Sequence, residues 1–196
     1  MRLPLLTRRT PQHVAAVIAL AVACAVPLAA QAPKPVQTPV PVAKTSATVD
    51  VAALEQLLPT LTGWTRTRTN RGHIDLSEDC AYSFAEAVYT NAAMKVRITL
   101  ADTAADPYSL GALATMVLTL KDDYVGTIDA TTTVRRLALN GSPAATRWDV
   151  AKLDGEFIVV LSGRFVAKIE GTGVDSIETL QGLLERVDLK ALVALK

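Results

Sequence analysis

The chain has 196 residues, of which 50% are hydrophobic, 20% charged and only 5% aromatic, a composition that excludes a disordered chain, a disulfide scaffold and a polytopic membrane protein. All 19 acidic side chains lie at or after Asp50, whereas five of the 20 basic ones (Arg2, Arg8, Arg9, Lys34 and Lys44) precede it, so residues 50–196 carry a formal −4. An acidic domain lacks the basic footprint with which nucleic-acid binders displace phosphate counterions, and no nucleic-acid partner is expected.

Residues 1–30 read as a secretory signal peptide, with Arg2, Arg8 and Arg9 as the positive n-region ahead of the apolar run 14–26. That run falls short of the roughly 20 apolar residues of a membrane-spanning helix. Ala30, Gln31 and Ala32 supply a small-x-small cleavage pattern, and Pro33 after the second alanine favours cutting after Ala30. The Arg8-Arg9 pair lacks the hydrophobic residues that follow a twin-arginine signal, since Thr10, Pro11 and Gln12 come next. Ala21-Val22-Ala23-Cys24 resembles a loose lipobox, where a bacterial lipoprotein is cut and acylated; the alternative is that Cys24 is a small hydrophobe inside the apolar run. The expected location is periplasmic or extracellular, with a lipid-anchored protein as the alternative. Apart from Cys24 the only cysteine is Cys80, so no intrachain disulfide is expected to hold the mature fold.

Residues 31–49 form a proline-rich linker, with Pro33, Pro35, Pro39 and Pro41, no acid and no helical period. At ~3.1 Å per residue its extended part reaches about 50 Å. A single globular domain, 50–196, follows. Asp50 is placed to cap a short first helix whose Ala53, Leu54, Leu57 and Leu58 share a face before Pro59. Trp64 opens a polar strand in which Arg66 and Arg68 alternate with threonines, and alternation predicts that Trp64, Arg66 and Arg68 point to one side. The glycine and acids of residues 72–80 predict a loop. Residues 81–90 and 94–101 predict a hairpin around Asn91-Ala92, with Met94, Val96, Ile98 and Leu100 inward and Lys95, Arg97 and Thr99 outward.

Asp106 and Pro107 supply a helix start, and Leu110, Leu113, Ala114, Val117 and Leu118 continue at helical spacing to about Leu120. Strands over 131–139, 144–153 and 156–161 are joined by Asn140-Gly141 and Asp154-Gly155, both hairpin-turn dipeptides. Residues 157–161 are apolar throughout, which predicts a central strand covered on both faces. Alternation then resumes with Phe165, Ala167 and Ile169 inward and Arg164, Lys168 and Glu170 outward. Asp175 with Glu178 opens a helix striped by Leu180, Leu183, Leu184 and Val187, and a last turn or two covers 189–195. The order predicts an α+β fold: a mainly antiparallel sheet of about six strands packed by helices in three layers.

The segments LLPTLTGW, AVYTNAAMKVRITLAD, LNGSPAATRWD and FIVVLSGRFVAKIEGTGVDSIETLQGLLERVDLKAL, which together span most of residues 57–192, resemble a group of uncharacterised exported bacterial proteins. The element order is similar to the Mog1/PsbP-like fold, an antiparallel sheet between helices found in extracytoplasmic accessory proteins and in a nuclear transport factor. That resemblance implies a fold and binding or assembly roles, and it carries no catalytic residues with it.

Chemistry-bearing motifs are sparse. His73, Asp75, Glu78, Asp79 and Cys80 crowd one segment, but no established zinc spacing is present, and a solvated acidic turn accounts for them. With His13 in the signal, His73 is the one histidine of the mature chain, so a thiol-dependent or metal-dependent enzyme would depend on the His73/Cys80 pair. Ser109 and Ser142 lack a Gly-x-Ser-x-Gly elbow, and Gly171-Thr172-Gly173 is not followed by the lysine of a phosphate loop, so no cofactor is expected. Two Arg/Trp groups remain: Trp64, Arg66, Arg68 and Arg71, and Arg135, Arg136, Arg147 and Trp148. If their strands are neighbours they form one patch suited to an anionic envelope component or protein partner; otherwise the tryptophans belong to the core and the arginines reach outward over it. The leading expectation is an exported cell-envelope protein of non-enzymatic binding or assembly type, with Trp64, Arg66 and Arg68 as its contact residues.

The processing expectation has a direct test. Intact-mass measurement on protein recovered from the producing bacterium is expected to show loss of about 30 N-terminal residues. An acylated mass starting at Cys24 selects the lipoprotein alternative, and an unprocessed cytoplasmic species beginning at Met1 contradicts export.

Overall fold

The computed structural model describes residues 47–77, 80–104, 106 and 110–195. The chain divides into two units, Met1–Pro41 and Val42–Lys196, and every described residue belongs to the second. The expected signal peptide, its expected cleavage site and Cys24 lie outside the described residues. Their elements run α1 (Val51–Gln56), β1 (Thr65–Ser77), β2 (Cys80–Asn91), β3 (Met94–Asp102), α2 (Ala112–Thr119), β4 (Val125–Thr127), β5 (Thr132–Leu139), β6 (Ser142–Asp149), β7 (Asp154–Leu161), β8 (Phe165–Thr172), α3 (Ile177–Leu184) and α4 (Leu189–Ala194). The fold is α+β. Its strands form one eight-stranded antiparallel sheet in the order β1-β2-β3-β8-β7-β6-β5-β4, more strands than the six or so expected. Two meanders, β1–β3 and β4–β8, meet along a single seam between β3 and β8.

Each face of the sheet has its own apolar cluster. On one, Tyr89, Ile98, Leu100, Phe157, Val159 and Ile169 pack with Leu54, Leu180, Leu184 and Leu192 from α1, α3 and α4. On the other, Val134, Ala145, Ile158, Val160 and Val166 pack with Leu113, Ala114 and Val117 of α2. Strand β7 feeds both clusters, and Phe157 to Val160 are at most 1% exposed, as the unbroken apolar run predicts.

Several local predictions shift. Residues 72–77 continue β1 instead of forming a loop, with His73 in register with Ser83 and Ser77 with Cys80. Helix α2 spans Ala112–Thr119, with Gly111 at φ +101 standing outside it; Pro107 of the expected start lies outside the described residues. Asp154-Gly155 belongs to β7, and the turn is formed by the residues between Asp149 and Asp154. Gly155 sits there because the Trp148 ring covers it: a Cβ at that position would lie 2.6 Å from Trp148 Cε3. In α3 the capping oxygen belongs to Ser176, which accepts from Thr179 N at 3.3 Å, while Asp175 accepts from the Thr179 hydroxyl.

At one end of the β3–β8 seam, Asp102 is fully buried and accepts from Arg164 Nε and Nη2, both at 2.7 Å. The same carboxylate accepts from Val49 N at 2.8 Å and Ala104 N at 3.0 Å, and Arg164 Nη2 also donates to the Ala47 carbonyl. Arg164 therefore turns to an internal partner instead of projecting outward. Residues 47–49 join the fold through these bonds, and the packed structure starts ahead of Asp50. Burial by itself raises the Asp102 pKa, but the bonds from Arg164, Val49 and Ala104 and the guanidinium charge outweigh it and hold the carboxyl below its ordinary value.

A carboxyl whose folded pKa is depressed stabilises the fold above its unfolded value and loses that contribution as pH falls through the folded one. Urea unfolding of the parent and of Asp102→Asn is therefore expected to differ most above about pH 5, with the gap starting to narrow only below about pH 4 and closing as pH falls through the lower folded value. A pH-independent gap between the two would show that the ionised carboxylate is not what the site requires.

Candidate functional site

The two Arg/Trp groups do not meet. Strand β1 is one edge of the sheet, and β2, β3, β8 and β7 separate it from β6. Trp64 is half-buried against the main cluster, as is Trp148. Within β1 a bulge at Thr67 breaks the alternation, since Arg66 is in register with Tyr89 but Arg68 with Val88. The extra residue turns Arg68 to the opposite face from Arg66, so Trp64, Arg66 and Arg68 do not share one side.

Arg66 and Arg71 have internal duties. Arg66 Nη2 donates to the carbonyls of Leu58 at 3.0 Å and Pro59 at 2.8 Å, and its guanidinium stands 5.4 Å over the Tyr89 ring. The Tyr89 hydroxyl donates to the same Pro59 carbonyl at 2.7 Å, so the loop after α1 is tied to β1 and β2 by two side chains. Arg71 pairs with Glu55 of α1. Arg68, by contrast, is exposed, and nothing among the described residues bonds or pairs with it.

On the face to which Arg68 turns, successive register partners form a row across six strands: Arg68, Val88, Arg97, Glu170, Glu156 and Arg147. Arg97 bridges Glu86 and Glu170, each at 3.5 Å. Lys168 bridges Glu170 at 3.4 Å and Glu156 at 3.7 Å, and Arg147 lies 3.8 Å from both Glu156 and Asp154. Burial raises the Glu156 pKa, and Glu170 adds to the rise while Lys168 and Arg147 oppose it. Arg97, Lys168 and Arg147 thus each have carboxylates beside them. At the β1 edge the neutralisation stops. Arg68 on β1 and Lys95 on β3, both exposed, have no carboxylate partner among the described residues; they are two strand spacings apart across the sheet, ~10 Å, and Lys95 is two residues along β3 from Arg97, which is level with Arg68. Lys95 was legible only as an outward position of β3; the ion pairs that single it out by omission depend on strand order.

Among the described residues the His73 segment forms no catalytic constellation. His73 Nδ1 lies 3.0 Å from the Thr48 hydroxyl and Nε2 2.8 Å from Asp75 Oδ1, so both ring nitrogens are engaged. Ser83 is in register with His73 on one side and Asp102 on the other, yet its buried hydroxyl has no hydrogen-bond partner. No nucleophile–base contact links these residues. Cys80 enters the β1–β2 ladder three residues from Ser83, ~10 Å along the strand from the level of His73; its side chain lies outside the described residues, as do Glu78 and Asp79. Among the described residues no group of three His, Cys, Asp or Glu side chains is arranged to hold a metal ion, and no helix is long and apolar enough to cross a membrane. Comparison with protein-family models, with curated proteins and with solved structures finds no match.

Proposed function

We propose that the protein is an exported cell-envelope component of binding or assembly type, whose contact surface is the cationic corner formed by Arg68 and Lys95 at the free edge of the sheet. The observation that carries this reading is the imbalance at that corner: two exposed cations without counter-ions on a domain of formal −4, on a sheet face whose other cations Arg97, Lys168 and Arg147 are paired. Such an arrangement favours a carboxylate- or phosphate-bearing partner, which Arg68 can engage through its planar fork and Lys95 as a point charge. Trp64 and Arg66 support the edge from behind by fixing β1 against the loop after α1. A Mog1/PsbP-like three-layer arrangement belongs to this reading, supported by α1, α3 and α4 on one face and α2 on the other. The signal-like N-terminus and the proline-rich segment support an envelope location, with the domain free or held by a lipid on Cys24.

Changing both Arg68 and Lys95 to Gln is expected to lower retention on envelope material at low salt while leaving stability within about 0.5 kcal/mol. Arg66→Gln is expected to lower the melting temperature instead, because two carbonyls and a ring lose their partner. Equal retention of the double variant and the parent would remove the corner as the contact surface.

A further inference from the structure

A second surface lies on the opposite face and at the opposite end of the strands. There α4 leaves an open groove of ≈ 340 Å³ beside the β5–β6 turn and the end of β7. Its volume falls in the ~300–1,000 Å³ range of small-molecule sites. The apolar wall is made by Leu139, Leu161, Leu189 and Val193, and Val193 is 38% exposed. Asn140, Ser142 and Lys190 complete the lining, and the side chains of all three lack a hydrogen-bond or ion-pair partner among the described residues. Lys190 is the one charged group in the lining. The other cavities differ in kind. In the one beside Arg136 that cation is already paired with Asp122, the one at the start of α2 carries both Arg147 and Glu156, and the one lined by Leu61, Leu183 and Arg186 is smaller, ≈ 150 Å³.

We propose that this groove binds a monoanionic amphiphile, an alkyl carboxylate whose chain lies along Leu139, Leu161, Leu189 and Val193 and whose head group meets Lys190 with Asn140 and Ser142. The apolar wall and the unpaired ammonium ask for opposite things of a ligand, and an alkyl chain ending in a carboxylate meets both. Burying the chain removes aliphatic surface from water, at ~25 cal/mol per Å², while the head stays at the solvent rim where a lysine is effective as a point charge. A cationic amphiphile would satisfy the wall and be repelled by Lys190. A short carboxylate would satisfy Lys190 and leave the wall wet. The inference does not rest on the Arg68 and Lys95 corner, and either can fail without the other.

The test is a titration of the folded protein with decanoate below its micelle concentration, followed by backbone amide shifts, with butyrate, decanol and decyltrimethylammonium as comparisons. Saturable shifts confined to residues 139–142, 161 and 189–193 are expected for decanoate, with no saturation by butyrate. Lys190→Ala is expected to weaken decanoate about tenfold and leave decanol unchanged, and Lys190→Glu to bring in the cationic amphiphile. Lys190 is exposed, so neither variant threatens the fold. A second variant, Val193→Asp, is expected to abolish decanoate binding while preserving the parent melting temperature. No saturable shift, shifts elsewhere in the protein, or decanoate affinity indifferent to Lys190 would each overturn the proposal.

Discussion

The Asp102–Arg164 pair is the interaction on which the two halves of the molecule depend. The strands β1–β3 and β4–β8 form two meanders that can each be built from local hairpins. Their union requires β3 and β8, far apart in sequence, to lie side by side. Asp102 ends β3 and Arg164 immediately precedes β8, 62 residues later, and the two meet with both carboxylate oxygens and two guanidinium nitrogens engaged. The Arg164 carbonyl also accepts from the Thr103 amide and hydroxyl, so the backbone is fixed at the same point. A fully buried carboxylate in this position is strongly unfavourable without its partner, and the pairing therefore specifies which strand β3 accepts as its neighbour. The bonds to Val49 and Ala47 extend the same constraint to the chain entering the fold.

Charge on the sheet face follows a different rule. Glu86, Arg97, Glu170, Lys168, Glu156 and Arg147 are half-exposed, at distances of 3.4 to 3.8 Å, and such pairs contribute little each. Their effect is on register, because a slip of one residue would set like charges against each other and turn the aliphatic side chains of β7 and β8 outward. At the β1 edge the same chemistry changes purpose. Arginines and bulges on an exposed edge strand discourage pairing with another copy, since an antiparallel self-match would bring Arg66, Arg68 and Arg71 near their own kind. The edge that resists self-association is also the one left with unneutralised cations, which is why an anionic partner is the reading it favours.

Much of the architecture was legible because it follows from short-range pattern. Strand β3 came from strict alternation, β7 from five consecutive apolar residues, and α3 from its capping pair and leucine stripe. What failed has specific causes. Three-residue β4 is too short to show a period and exists by pairing with β5. Gly155 looked like a turn residue, and only the Trp148 ring above it gives its reason. The bulge at Thr67 has no sequence signal, yet it reverses the side on which Arg68 stands and so decides which candidate residues act together. Arg164 read as an outward position of its strand, and Asp102 fell just past the end of the predicted 94–101 strand. Lys95 became a candidate only when the partners of its neighbours were known, and Arg66 ceased to be a free cation once the Leu58 and Pro59 carbonyls were placed beside it.

The central claim is that Asp102 and Arg164 act as a unit in joining the two meanders, and a double-mutant cycle measures this most directly. Denaturant unfolding of Asp102→Ala, Arg164→Ala and the combined variant gives the coupling between them. Removing Arg164 alone leaves the fully buried Asp102 carboxylate without its cation and is expected to cost about 3–5 kcal/mol, with the second substitution adding little more. Losses that add to within about 0.5 kcal/mol would mean that the residues act independently and that the seam is held by the β3–β8 ladder alone.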